Sequence, residues 1–152
     1  MTETPPGRRL AESLVRLTHL VEHVFAETGR RYDITPQQAQ LLCVLHHTQL
    51  GMTELSRSLH LEKSSLTGLV NRVERRGLAV RRRDSHDRRE CRVALTEQGS
   101  RIAVDFHEEV SGRLEELVGD LAPEESGQLT SVIARVLAGA ETEPGREGRP
   151  DS

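Results

Sequence analysis

Between Lys63 and Gly77 the apolar residues Leu66, Leu69, Val70 and Val73 recur at helical spacing, while every other position is polar or glycine. Such a stripe specifies a helix of about four turns with one buried face. Gly77, with no Cβ, suits the end of that helix. A shorter apolar pair, Leu55 and Leu59, precedes it after Gly51, with Thr53 available as an N-cap. Two short helices joined by a tight connection, the second basic at both ends, form a helix-turn-helix pattern. Beyond Gly77 the period changes to two. Leu78 and Val80 alternate with Ala79 and Arg81, and Cys91, Val93 and Leu95 alternate with Arg92 and Ala94, as in two short strands. The segment between them, residues 82–90, is polar and holds the turn formers Asp84, Ser85 and Asp87, so it reads as the loop of a β-hairpin wing.

The expected fold class is therefore mainly α, a winged helix-turn-helix with further helices from both chain ends. Leu10, Leu14, Leu17, Val21 and Val24 mark a first helix ending near Gly29. Thr35, Pro36 and Gln38 announce a second with a capping box, carrying Leu41, Leu42, Val44 and Leu45. Thr96 opens a long helix bearing Ile102, Phe106, Val110, Leu114, Leu117 and Leu121, and Pro123 starts a last one bearing Leu129, Val132, Ile133, Val136 and Leu137. Residues 1–7 and 139–152 combine Gly, Pro and charge with few apolar side chains and read as disordered tails. The folded unit is then a single domain over 8–138, with a winged core at 35–96. The helices at 8–30 and 97–138 hold more apolar surface than so small a core can cover, which predicts a two-fold homodimer built on them.

The chain's formal net charge is −3, which taken as a whole argues against a nucleic-acid partner. Residues 57–92, however, carry 11 basic and 5 acidic side chains, and residues 97–143 carry 3 basic and 11 acidic ones. The basic quarter coincides with the helix-turn-helix and wing, and this points to double-stranded DNA. Base edges in the major groove are read from the N-terminal end of an inserted helix. Lys63, Ser64, Ser65, Thr67 and Asn71, off the apolar stripe, are the candidates for base and nearby phosphate contacts. Gly68 on the same surface would let the backbone approach closely. Arg72, Arg75 and Arg76 stand where phosphates are reached, and Arg81, Arg82, Arg83, Arg88 and Arg89 surround the wing tip. Arginines on a protruding loop suit the narrow, negative minor groove, and Asp87 is placed to hold Arg89.

Residues 53–99 resemble the winged-helix core of the multiple-antibiotic-resistance regulator (MarR) family. The most specific element is Asp87, Arg89, Val93, Leu95, Thr96 and Gly99, similar to that family's wing signature D-x-R-x-x-x-V-x-L-T-x-x-G at every defined position. The resemblance implies a homodimeric transcriptional regulator, usually a repressor, that binds a pseudo-palindromic operator. It implies a recognition helix at about Lys63–Arg76, with Arg89 as the minor-groove arginine positioned by Asp87. It also implies a small organic effector, often aromatic and anionic, bound between the dimer helices and the winged core. One departure is Glu62, where family members commonly place a Ser or Thr cap; its carboxylate suits the helix dipole but repels phosphate.

His19, His23, His46, His47 and His107 are the candidate pocket residues, lying on the first, second and fifth helices. An i, i+4 histidine pair also raises a zinc-responsive reading, although no Cys or carboxylate completes a ligand set at recognisable spacing, so no metal and no cofactor are expected. Cys43 sits among leucines and Cys91 shares the parity of Val93, so both thiols are expected to face the core and be inert. An adaptor that kept the scaffold without DNA binding is the competing class, set against by the basic helix and wing. An enzyme is excluded by the lack of any assembled nucleophile, paired carboxylates or phosphate loop. No apolar run reaches the roughly 18 residues of a membrane span and the N-terminus lacks a signal peptide's apolar core, which predicts a cytoplasmic protein.

Overall fold

A computed structural model describes residues 5–83, 86 and 90–142. Its elements run α1 (Pro6–Arg31), α2 (Pro36–Leu45), β1 (Leu50–Gly51), α3 (Met52–Leu59), α4 (Lys63–Arg75), β2 (Ala79–Arg83), β3 (Cys91–Leu95), α5 (Glu97–Leu117) and α6 (Pro123–Thr142). Helices predominate, with one small antiparallel sheet, as the winged helix-turn-helix expectation requires. The chain divides into two compact units, Met1–Leu114 and Glu115–Ser152.

The first unit is built from local signals. Pro6 at the first helical position needs no hydrogen-bonded N–H, so α1 starts there, inside the stretch expected to be a tail. Gly29 does not stop this helix. It lets the chain fold back on itself, because a Cβ there would lie 2.6 Å from the Ile34 carbonyl oxygen, whose own N–H donates to Gly29 O at 2.9 Å. The capping box of α2 is complete, with Gln38 N–H donating to Thr35 Oγ1 and Thr35 N–H donating to Gln38 Oε1, both at 3.2 Å. Thr53 is not the cap of α3. Gly51 holds that position, and its N–H donates to Glu54 Oε2 at 3.2 Å.

Leu66, Leu69, Val70 and Val73 of α4 are all buried, at 1% exposure or less. The helix ends in a Schellman turn: Gly77 takes φ +72°, Gly77 N–H donates to Glu74 O at 2.9 Å, and Leu78 N–H donates to Val73 O at 3.2 Å. Leu78 is buried beside it, so the turn delivers the chain directly into β2. The sheet has three strands in the order β1-β3-β2. Arg83 pairs with Cys91 and Ala79 with Leu95 in one ladder; Leu50 pairs with Val93 in the other. The first strand was not anticipated, and Arg82 and Arg83 lie within β2 rather than in the loop.

Burial also corrects the two thiols. Cys43 is half-buried and desolvation pushes its pKa up, in keeping with an inert thiol. Cys91 is exposed. Parity does place it with Val93, but its register opposite Arg83 puts it at the distal end of the ladder, past the core that covers Val93.

The core joins Leu41, Leu42 and Leu45 of α2, Leu55 of α3, the α4 stripe, Leu78, Val93, and Ala103, Phe106 and Val110 of α5. Phe106 meets Phe25 and Tyr32 edge-on, with ring centroids 5.5 and 6.2 Å apart. Polar ties reinforce this α1–α5 seam. Arg31 and Tyr32 both donate to the Glu109 carboxylate, and Arg113 donates to Glu27 and Thr28. The hydrogen bond from Arg113, aided by His23, holds the Glu27 carboxyl below its usual range. Burial raises the Tyr32 phenol, and its bond to Glu109 adds to the shift.

In the second unit, α6 has no buried residue, and Leu129, Val132, Ile133, Val136 and Leu137 are all exposed. It runs to Thr142, so Gly139–Thr142, expected to lie in a tail, are helical. Leu121 falls in the turn before it rather than on α5. No helix among the described residues is long and apolar enough to cross a membrane.

Candidate nucleic-acid interface

The outer surface of α4 follows from its buried stripe. With Leu66, Leu69, Val70 and Val73 fixed inward, Lys63, Ser64, Ser65 and Thr67 emerge exposed on the opposite side of the first turn and a half. Their side chains offer a cation, hydroxyl donors and hydroxyl acceptors, the groups that read base edges and phosphates. Thr67 Oγ1 donates to Lys63 O at 2.8 Å, leaving its lone pairs outward. Glu62 is the N-cap residue, yet its side chain makes no capping hydrogen bond. The N-terminal N–H groups therefore stay available to an anion, with the carboxylate alongside.

Farther along, the arginines separate into distinct roles. Arg72 and Arg75 are exposed in the last turn, and Arg72 lies over Gly68, where an added Cβ would stand 3.3 Å from its guanidinium nitrogen. Gly68 thus provides room for a side chain as well as a flat surface. Arg76 is engaged within the protein. It donates to Asp33 O and, at 3.3 Å, to Gln38 Oε1, tying the end of α4 to the α1–α2 connection. Asn71 is also engaged, its Oδ1 accepting from Arg81 Nη2 at 2.9 Å while Arg81 Nη1 pairs with Glu74. Asn71, Glu74, Arg75 and Arg81 together line a shallow depression between α4 and β2. The Arg81 link was missed in the sequence, although a signal existed: Arg81 shares strand parity with Ala79, which is buried.

Arg82 and Arg83 are exposed at the far end of β2. Asp87, Arg88 and Arg89 lie outside the described residues. On the other side of the sheet, Arg92 donates to Gln49 O at 3.3 Å, joining β3 to the entry of the helix-turn-helix.

The five histidines do not form one group. His19 and His23 are exposed on α1, His23 pairing with Glu27 at 3.3 Å. His46, at the C-cap of α2, lies tilted against His47 and stacked with His107, with centroids 3.9 and 6.4 Å away. Its Nδ1 is buried without a hydrogen-bond partner, and burial, then the two neighbouring imidazoles, lower its pKa. Among the described residues no three His, Cys, Asp or Glu are grouped as a metal ion would need. An apolar cavity of about 410 Å³ lies instead between α1 and α2, lined by Leu14, Leu17, Val21, Phe25 and Pro36, with Thr18, Glu22 and Gln40 as its polar groups. None of the five histidines lines it.

Residues 32–90 match the model of the MarR family. The chain is 31% identical over 105 residues to the organic hydroperoxide resistance transcriptional regulator of Bacillus subtilis, covering 67% of this chain and 68% of that protein. To the transcriptional repressor MdtR of the same organism it is 27% identical over 135 residues, covering 86% of this chain and 85% of the relative. The crystal structure of NadR in complex with 4-hydroxyphenylacetate superposes with a TM-score of 0.74 at 25% identity, over 90% of this chain and 97% of that one. A winged core with an outward basic recognition helix, shared along most of the chain with such proteins, means that this chain belongs to the MarR family of DNA-binding transcriptional regulators, which are not enzymes.

Proposed function

We propose that the chain is a homodimeric, effector-responsive repressor that binds a pseudo-palindromic operator, with α4 in the major groove and the arginine wing in the minor groove. The observation that carries this reading is the exposed run Lys63, Ser64, Ser65 and Thr67, presented by a helix whose other side is locked into the core. Arg72 and Arg75 would contact phosphates, Arg82, Arg83 and Arg88 would flank the minor groove, and Arg89 would enter it under the hold of Asp87.

Residues 8–138 act in this reading as one functional domain, with the helices at 8–30 and 97–138 forming the dimer. Its support is apolar exposure: Leu10, Leu14 and Leu17 of α1 are 61%, 49% and 50% exposed, and Val136 and Leu137 of α6 are 61% and 58% exposed. Leaving so many large aliphatic side chains in water is costly, and a self-complementary helical interface removes that cost. Effector response is supported by the α1–α2 cavity and by the aromatic acid bound in the NadR structure. Repression is supported by the likeness to MdtR.

Selection of bound fragments from random-sequence duplex DNA by the purified protein tests the reading. The expected product is an imperfect inverted repeat with half-sites roughly 34–36 Å apart. Lys63→Ala should weaken binding and lower the salt slope by about one, and Arg89→Ala should weaken binding strongly. Failure to enrich any sequence, Arg89→Ala binding as tightly as the parent, or a scattering mass near the single-chain 17.0 kDa would each refute the corresponding part.

A further inference from the structure

The hairpin wing is an edge structure with one weakly supported side. Its strand β2 pairs with β3 along one edge, and among the described residues no strand continues the sheet beyond the other. A guanidinium takes over that second side. Arg81 Nη1 pairs with the Glu74 carboxylate and Arg81 Nη2 donates to Asn71 Oδ1 at 2.9 Å, so one planar group holds two acceptors three residues apart on the recognition helix. Its side chain is only 29% exposed, and it stands opposite the buried Val93 in the ladder. Arg82 and Arg83 follow immediately and project from the strand whose direction this contact sets.

We infer that Arg81 is a positioning residue for DNA binding: it clamps the base of the wing to the recognition helix and so fixes the angle between the two elements that enter adjacent grooves. Glu74 is the acceptor that makes the clamp. It is also the lone acid between Lys63 and Arg76, and its pairing with Arg81 keeps that carboxylate from opposing the phosphates. Asn71 supplies the fork's second acceptor through Oδ1 alone, and its exposed amide N–H groups remain donors for a base edge. A residue first placed among the DNA contacts therefore acts through its neighbour.

The inference rests on the DNA-binding reading above, and two measurements separate the fates of the two. In the first, Glu74→Gln and Arg81→Gln are titrated against a duplex selected from random-sequence DNA by the parent protein, over a range of salt. A clamp predicts that both variants bind about tenfold more weakly, that the double variant is no worse than either single one, and that the salt slope is unchanged. A direct phosphate contact by Arg81 predicts the reverse. Arg81→Gln would then lower the slope by about one, and Glu74→Gln would tighten binding by removing a negative charge. Either result overturns the inference.

The second measurement needs no DNA. Hydrogen exchange at the β2–β3 amides should quicken about tenfold in both variants, while amides of α2 and the α4 stripe keep their protection. The charge-reversed double variant Glu74→Arg, Arg81→Glu should restore slow exchange in the wing. Unchanged wing exchange in Arg81→Gln overturns the clamp, whereas a parent protein that enriches no duplex refutes the DNA reading and leaves exchange to decide the clamp.

Discussion

Gly99→Ala tests how closely the base of the wing and the start of α5 are fitted. A Cβ at residue 99 would lie 1.9 Å from the Leu78 carbonyl oxygen, and reaching the 3.0 Å that real Cβ atoms keep means opening about 1.1 Å. The opposing atom is backbone, so no side-chain rotation relieves it. Two hydrogen bonds cross the same junction, from Thr96 N–H to Leu78 O at 3.0 Å and from Thr96 Oγ1 to Gly77 O at 2.6 Å. Losing both costs about 2 kcal/mol, overpacking adds about 1–3 kcal/mol, and the better helix propensity of Ala returns about 1 kcal/mol. The expected net loss is roughly 2–4 kcal/mol, a large part of a typical stability of about 5–15 kcal/mol. Urea unfolding followed by far-UV circular dichroism measures it, at one fixed protein concentration because the proposed dimerisation would contribute to stability. Gly68→Ala serves as the comparison, since its new Cβ meets only the movable end of Arg72 at 3.3 Å and the same gain in helix propensity applies, so any loss of stability should stay below about 0.5 kcal/mol. A Gly99→Ala loss as small as that would show that the junction yields freely and that the fit is not a constraint.

Acid sensitivity and thiol chemistry give two more tests. Burial and two neighbouring imidazoles hold His46 below its ordinary pKa of about 6.5, so the unfolded chain takes up this proton more readily than the folded one. Above about 6.5 the group contributes nothing to the pH dependence. As pH falls through that value toward the lower folded pKa, stability is lost, and His46→Gln should flatten that part of the unfolding profile. Identical profiles for variant and parent would exclude the cluster as the cause. Cys91 should react with an uncharged disulfide reagent faster than Cys43, whose thiol is half-buried and raised in pKa. Equal rates, or faster loss of Cys43 as followed by peptide mapping, would contradict the exposure assigned to each.

Local chemistry was legible in the sequence because its partners lie within a few residues. The Thr35–Gln38 box, the Gly77 turn and the Thr96 cap are each completed within about one turn of chain, and the buried face of α4 within a single helix. Longer-range features were not. Strand β1 has two residues, too few for alternation, and exists only because Leu50 finds Val93 more than forty positions away. Parity told which side of β3 Cys91 occupies but not where the covering helices end. Helical spacing drew attention to His19 and His23, whereas packing of α5 beside the end of α2 is what gathers His46, His47 and His107. Asn71, Arg76 and Arg81 share the composition of a DNA-binding surface, and only the fold shows that each also makes side-chain hydrogen bonds inside the protein. Asp87 and Arg89 rest on the wing's charge pattern and signature, and Arg88 on the charge pattern alone.

The seam where α1 meets α5 also makes the protein its own spectroscopic reporter. The chain has no Trp, a single Tyr and two Phe, and all three rings meet at that seam. Phenolic absorbance and emission therefore come wholly from Tyr32, whose hydroxyl donates to Glu109 at 3.1 Å. Any event that shifts α1 against α5 alters that bond and the ring's burial, and it changes the signal with no competing chromophore. Binding of the proposed effector and exchange between the proposed subunits would thus be readable on the unlabelled protein, through a ring packed between α1 and the core that carries α4.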